Sequence, residues 1–274
     1  MAPFDWGPLL KSGPLFLGIL NLTPDSFSDG GRFTAPAAAL DQARALVQAG
    51  ARMLDLGAES TRPGAAIVDA DTEWNRLEPG LSGLAAAGPG IPLSLDTRYA
   101  LTASRGLAAG AQVINDVTGF SDPAMLALAV HSSCGLIAMR SRRAGAGFHM
   151  PPYDDPAPRD AEQALAELRA VRDRMLGAGI SQERLLLDPG FGFGTTFAED
   201  LALWEALPRL PELLAWPADR FCIGLSRKRF LALRAGRPDL APSLRDGLTA
   251  KAHAEAARWG YRVFRTHAIS EAIT

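Results

Sequence analysis

Asp96, Asn115 and Asp188 each stand where a short apolar run ends, and Lys228 follows closely on another. Carboxylates at such places are costly to bury unless they are paired or hydrogen-bonded. A flat heterocycle with adjacent N–H donors, such as an aminopyrimidinone, satisfies that demand, and Lys228 then reaches its carbonyl or ring nitrogen. Arg62, Arg265 and His267 form a second group with the opposite charge preference, suited to an anion such as a diphosphate. Gly30, Gly31, Gly190, Gly192 and Gly194 let backbone approach a ligand closely.

Taken singly, most of these residues have a bland reading. Asp96 and Asp188 read equally well as helix caps, His267 as a surface residue, and Glu59 and Asp116 as caps or as partners of other site residues. Arg142 and Arg143 read as solvated loop charges, Cys134 and Cys222 as core thiols. What changes the reading is recurrence. After eight successive apolar runs come Asn21 with TPDSFSDGG (23–31), ESTRPG (59–64), Asp96 to Arg98, Asn115 with Asp116, and Met139 with Arg140. DPGFGFG (188–194), SRKR (226–229) and Arg265 to His267 complete the set.

The elements that must position these groups are legible in outline. The runs cover 15–20, 52–56, 91–95, 112–115, 135–139, 184–187, 220–224 and 261–264, each too short for a helix and apolar at successive positions, as strands buried on both faces are. Between them lie helical stripes: Ala161, Ala164, Leu165, Leu168, Val171 and Met175, and earlier Leu40, Ala43 and Val47. Gly50, Gly110, Gly179 and Gly260 stand where helices end. Eight strand–helix alternations predict an α/β fold, a single (β/α)8 TIM barrel over residues 1–274, with apolar strand interiors and the site at the C-terminal rim. No G-x-G-x-x-G follows the first strand, which speaks against an open doubly wound sheet. An Arg/Gly/Pro-rich loop is expected over 140–158.

Composition agrees. The chain has 274 residues, 47% hydrophobic and 21% charged with a net charge of −2, values that exclude disorder and speak against non-specific nucleic-acid binding. The 14–20 run is far short of the roughly 20 residues that span a membrane, and it lacks the flanks of a signal peptide. Two cysteines in apolar runs point to a reducing compartment, so a cytoplasmic protein is expected.

The segment from Gly18 to Gly31 (GILNLTPDSFSDGG) closely resembles the first signature of the dihydropteroate synthases, and 59–64 resembles the second. SLDT (94–97), INDV (114–117), DPGFGFG (188–194) and SRK (226–228) match further blocks in order, so the resemblance runs from about Leu15 to His267. It implies a transferase of folate synthesis that joins 6-hydroxymethyl-7,8-dihydropterin diphosphate to p-aminobenzoate, uses Mg²⁺, is usually homodimeric and is the target of sulfonamides. By motif, Asp96, Asn115, Met139, Asp188 and Lys228 hold the pterin. Asn21, Arg62, Arg265 and His267 hold the diphosphate, with Asn21 at the metal. Thr61, Pro63, Phe27, Phe193 and Ser226 surround p-aminobenzoate. The catalytic group is Lys228, Arg265, His267 and Asp96.

Some positions depart from the family pattern. Thr195 stands where Lys is common, Asp200 where Asn is common, Arg140 in place of the His of Met-His-Met, and Ala268 in place of Asp after His267. The variant at Ala268 resembles a mobile sulfonamide-resistant branch, whereas the first signature keeps its ordinary form, so resistance is not assigned. The few residues after His267 leave little to supply the final helices that usually contribute to the dimer. The alternatives are a catalytically weak pterin-binding paralogue and a methyltetrahydrofolate-type pterin methyltransferase.

Overall fold

Eight short parallel strands form the framework: β1 (Leu15–Asn21), β2 (Met53–Gly57), β3 (Leu93–Asp96), β4 (Val113–Asp116), β5 (Gly135–Met139), β6 (Leu185–Asp188), β7 (Cys222–Ile223) and β8 (Val263–Thr266). Their hydrogen-bonded order is β6-β5-β4-β3-β2-β1-β8-β7, and a parallel bridge from Leu187 to Phe221 joins the two ends. This computed structural model describes residues 2–23, 35–59, 67–88, 90–144, 147–148, 153 and 160–269. The expected barrel is therefore present, with β7 shorter than its apolar run. Helices α1 (Ala35–Gln48), α2 (Ala70–Ala87), α3 (Ala100–Ala108), α4 (Pro123–His131), α5 (Glu162–Gly177), α6 (Phe197–Ala206), α7 (Arg229–Arg234) and α8 (Asp246–Arg258) surround it.

The helix stripe read from 161–175 packs as its spacing predicts, with Ala164, Leu168, Val171 and Met175 buried on α5. Four helices end in the same way. Gly50, Gly110, Gly179 and Gly260 have φ between 86° and 107°. In each case the glycine N–H bonds three residues back and the next N–H five back, for example Gly50 to Val47 O and Ala51 to Leu46 O. This is the Schellman closure, and it turns the chain straight into the following strand.

Alternation along the strands divides the barrel interior into two layers. The lower layer is apolar: Leu15, Leu17, Met53, Val113, Ile137, Leu186, Cys222 and Val263 cluster with Trp6 and Leu10. Trp6, at the start of the short helix Gly7–Lys11, closes this end and donates its indole N–H to Arg184 O at 2.9 Å. Two residues further along, Met53 gives way to Asp55, Val113 to Asn115, Leu186 to Asp188 and Val263 to Arg265. The strand interiors are thus not wholly apolar, contrary to expectation: Asp55 and Ser94 are buried within β2 and β3. Both cysteines are buried free thiols, as read. Among the described residues no helix is long and apolar enough to cross a membrane.

Candidate functional site

The upper layer is a connected polar network. Asp55 sits at its centre and accepts from Ser94 Oγ at 2.6 Å, Asn115 Nδ2 at 3.0 Å and Arg265 Nε at 2.6 Å. Arg265 bridges from Asp55 to Asp96 through its other arm. Burial pushes the Asp96 carboxyl up, and the Arg265 guanidinium opposes that shift; two carboxylates raise Arg265 in turn. Sequence reasoning put Arg265 with the anion-binding group and away from the carboxylates. The structure instead ties it into both, since its guanidinium is the counter-charge that makes Asp55 and Asp96 tolerable inside the barrel.

Asp188 ends β6 opposite Met139 of β5. Its Oδ1 accepts from Gly190 N at 2.8 Å, and burial pushes the carboxyl up to about 6 against the pull of Gly190, Lys228, Arg265 and Arg140. Gly224 leaves space for it: a Cβ there would meet Asp188 Oδ2 at 3.0 Å. Lys228, just before α7, lies with its ammonium 3.9 Å from the Phe193 ring centroid. It forms no ion pair with a described carboxylate, and burial lowers its pKa to about 8, with Asp188 and Asp200 opposing. A cation held over a ring, with carboxylates near but not bonded, retains N–H donors for a ligand.

Ser226 and His267 meet at the neighbouring strand ends. Ser226 Oγ lies 3.0 Å from His267 Nδ1 and accepts from His267 N at 3.0 Å. Thr266 Oγ1 donates to Ala268 O at 2.7 Å, so the Thr266 hydroxyl closes the turn at this end. Asn21 ends β1 in register with Gly57, half-buried. Phe27, Thr61, Arg62 and Pro63 lie outside the described residues, as does most of the 140–158 loop, in which Arg143–Ala144 pairs antiparallel with Gly147–Phe148.

Arg140 and Arg142 are structural, and for Arg142 this corrects the expectation of a solvated charge. Arg140, 1% exposed, donates to Pro189 O at 2.8 Å and Gly190 O at 2.6 Å, while its N–H bonds Asp188 O at 3.0 Å. It therefore fixes the turn that presents Gly190 N–H to Asp188. Arg142 reaches Glu167 at 2.7 Å, Glu199 at 2.6 Å and Gly194 O at 3.0 Å. Asp116, left open as cap or partner, caps no helix: at the end of β4 it accepts from Thr118 N and Phe120 N in the turn that follows. Glu59 is a partner, forked onto Arg98 at 2.8 and 2.7 Å.

Three residues escaped the sequence reading. Asp55 was hidden inside an apolar run, although it stands in phase with inward-facing Met53. Tyr153 and Glu73 carried no local signal. Glu73 Oε2 accepts from Thr97 Oγ1 at 2.5 Å, next to Asp96, while its buried Oε1 has no hydrogen-bond partner among the described residues. Burial raises its carboxyl to about 7 from 4.5, against the hydrogen bond from Thr97. Between those two pH values the native state binds the extra proton, so Glu73 lowers stability as pH rises through that window, and fully above it. Glu73→Gln is expected to raise the melting temperature at about pH 8, by the equivalent of about 1–3 kcal/mol, and to leave it unchanged near pH 4. Thermal melts of both proteins across this range check the prediction; a pH-independent difference would count against it.

Residues 17–267 match the family described as pterin binding enzyme. A dihydropteroate synthase of Mycobacterium leprae (strain TN) is 38% identical over 265 residues, covering 94% of this chain and 90% of that protein. The Xanthomonas albilineans dihydropteroate synthase with 4-aminobenzoic acid superposes with a TM-score of 0.82 at 35% identity, over 97% of this chain and 93% of the other. The same protein in complex with 7,8-dihydropteroate gives a TM-score of 0.78 at 35% identity, covering 94% and 88%.

Proposed function

The chain belongs to the dihydropteroate synthases, transferases of folate biosynthesis among the pterin binding enzymes, and from that premise we propose how its barrel mouth is used. The substrates are 6-hydroxymethyl-7,8-dihydropterin diphosphate and p-aminobenzoate, and the products 7,8-dihydropteroate and diphosphate. The observation that carries the assignment of roles is the convergence of Asp96, Asn115, Asp188 and Lys228 on one end of the barrel, with Met139 beside Asp188. The carboxylates and the amide take the N–H donors of the aminopyrimidinone ring, and Lys228 donates to its carbonyl or ring nitrogen. Arg265 opposes the rise that burial imposes on the Asp96 carboxyl, and with Arg62, His267 and Asn21 it is assigned to the diphosphate.

The Asn21 carboxamide makes no hydrogen bond with a described residue, and an amide oxygen suits a hard cation that takes one or two protein ligands and completes its shell with phosphate oxygens. The residues present therefore fit Mg²⁺ at Asn21, and when bound the ion supplies charge neutralisation to the leaving diphosphate.

The chain's own groups do the rest. Arg265, Arg62 and His267 stabilise the charge that develops as the C–O bond to diphosphate breaks. The electron-deficient methylene left behind is delocalised into the dihydropterin ring, whose N–H groups rest on Asp96 and Asp188. The arylamine nitrogen of p-aminobenzoate, held by Phe193, Ser226, Thr61, Pro63 and Phe27, attacks that carbon and then loses a proton. An arylamine is neutral near pH 7, so no strong general base is required. A homodimer in the cytoplasm completes the reading.

Because Asp96 and Asp188 must be ionised and Lys228 protonated, kcat/KM for the pterin diphosphate is expected to follow a bell with an acid limb between Asp188's value of about 6 and Asp96's of about 7 and an alkaline limb near Lys228's value of about 8. A profile flat across that interval would count against both roles. The deciding experiment is diphosphate release from the pterin substrate with Mg²⁺, with and without p-aminobenzoate. Release that requires p-aminobenzoate and yields dihydropteroate supports the reading. Pterin binding without release makes the chain a pterin-binding paralogue. The methyltransferase alternative has no support among the relatives described above.

A further inference from the structure

Thr195 and Asp200, two separate departures from the family pattern, meet in the structure: the Thr195 hydroxyl donates to Asp200 Oδ1 at 2.7 Å. Asp200 lies on α6 and is fully buried. The same oxygen accepts from Gly192 N at 3.0 Å, and Oδ2 accepts from the Tyr153 hydroxyl at 2.5 Å. Burial pushes this carboxyl up, and the three donors pull it back. Two of the donors, Gly192 and Thr195, belong to the loop after β6, and the third is Tyr153. Gly192, at φ 72°, is the backbone between carboxylate and ammonium: a Cβ there would stand 4.0 Å from Asp200 Oδ2 and 3.9 Å from Lys228 Nζ. The next residue, Phe193, supplies the ring under that ammonium. Tyr153 comes from the segment after β5. Its carbonyl accepts from Phe197 N at 2.8 Å, and the Arg229 guanidinium lies 5.4 Å from its ring centroid.

We propose that Asp200 is a positioning residue for Lys228, holding Gly192 and thereby Phe193 beneath the ammonium, with the Tyr153 hydroxyl as a further donor to the same carboxylate. The proposal rests on the pterin-binding reading of Lys228. The charged groups facing Lys228 are Asp188 from β6, Asp200 from α6, Arg265 from β8 and Asp96 from β3; the three carboxylates favour its charged form and Arg265 opposes it. Asp200 in turn faces Tyr153, Thr195 and Arg140. Removing the Asp200 charge leaves the ammonium with less support, so it loses its proton at lower pH. Removing the Tyr153 hydroxyl takes away a hydrogen bond but no charge.

The test compares Asp200→Asn and Tyr153→Phe with the parent protein, after thermal melts establish that both fold. In Asp200→Asn the alkaline limb of kcat/KM for the pterin diphosphate is expected to move down by about half a pH unit or more, with KM for that substrate raised about 3- to 10-fold near pH 8. KM for p-aminobenzoate is expected to rise by less, since of the residues assigned to that substrate only Phe193 is held through Gly192. Tyr153→Phe is expected to raise the pterin KM with the limb unmoved. An unmoved limb in folded Asp200→Asn overturns the charge argument, and equal losses toward both substrates overturn positioning of Lys228. Titration with 6-hydroxymethylpterin, read by fluorescence, separates this from failure of the synthase reading: if the parent protein shows no turnover, the Asp200→Asn effect on pterin affinity and its pH dependence still decides the proposal.

Discussion

Lys228→Ala is expected to lower kcat/KM for the pterin diphosphate by about 10²–10³-fold while leaving the protein at least as stable as before. The activity loss follows from removing a charged donor used as charge develops, an interaction worth about 2.7–4 kcal/mol in comparable sites. The stability half follows from burial. Lys228 ionises at about 8 in the fold against 10.5 in the open chain, so its ammonium is a net cost below about pH 8. That cost is relieved as pH rises from there toward the unfolded value. No described carboxylate forms an ion pair with Lys228, so truncation strands no partner. Lys228→Arg is expected to recover little, because a planar fork does not fit a site built for a point charge 3.9 Å above a ring. Steady-state kinetics with thermal melts at about pH 7 check both halves; near-parent activity in Lys228→Ala would remove the residue from the site.

How far these residues could be read in advance depended on where their partners lie along the chain. The α5 stripe and the glycine helix ends were legible because a helix face and a Schellman closure are local, written within a few residues. The strand-end polar groups were legible because a parallel barrel repeats one solution eight times. Asp55 was not, since a single carboxylate in a five-residue run gives no period, and its partners Ser94, Asn115 and Arg265 are 39, 60 and 210 residues away. Arg142 looked solvated because its surroundings in sequence are Arg, Gly and Pro, whereas the carboxylates that hold it, Glu167 and Glu199, lie 25 and 57 residues on. Arg140 read as a loss of the family's histidine. In space it is a guanidinium spanning two carbonyls of the turn after β6, a task its extended fork suits.

The network around Asp55 also makes Arg265 the residue whose loss costs most. Arg265→Met keeps much of the stem and removes the guanidinium, leaving Asp55 and Asp96 without their shared counter-charge. Breaking a buried pair in this way costs about 3–5 kcal/mol. At about 2–4 °C per kcal/mol in larger domains, that is a fall of about 6–20 °C in the melting temperature. The sign of the pH dependence is fixed. Without Arg265 the Asp96 carboxyl, already pushed up by burial, binds its proton still more readily in the native state than in the unfolded chain, so the deficit is largest above neutrality and shrinks on acidification. Affinity for the pterin diphosphate is expected to fall far more than affinity for p-aminobenzoate, because the guanidinium serves both the Asp96 end of the pterin and the leaving group. Asp55→Asn in the Arg265→Met background separates structure from function. It removes one stranded charge and is expected to restore stability by about 1–2 kcal/mol through the coupling expected of contacting residues. Activity is expected to stay lost, because the guanidinium assigned to the diphosphate is still missing. Equal and additive stability losses in the double variant would mean that Arg265 is not the counter-charge of Asp55, and equal loss of affinity for both substrates would remove it from the diphosphate.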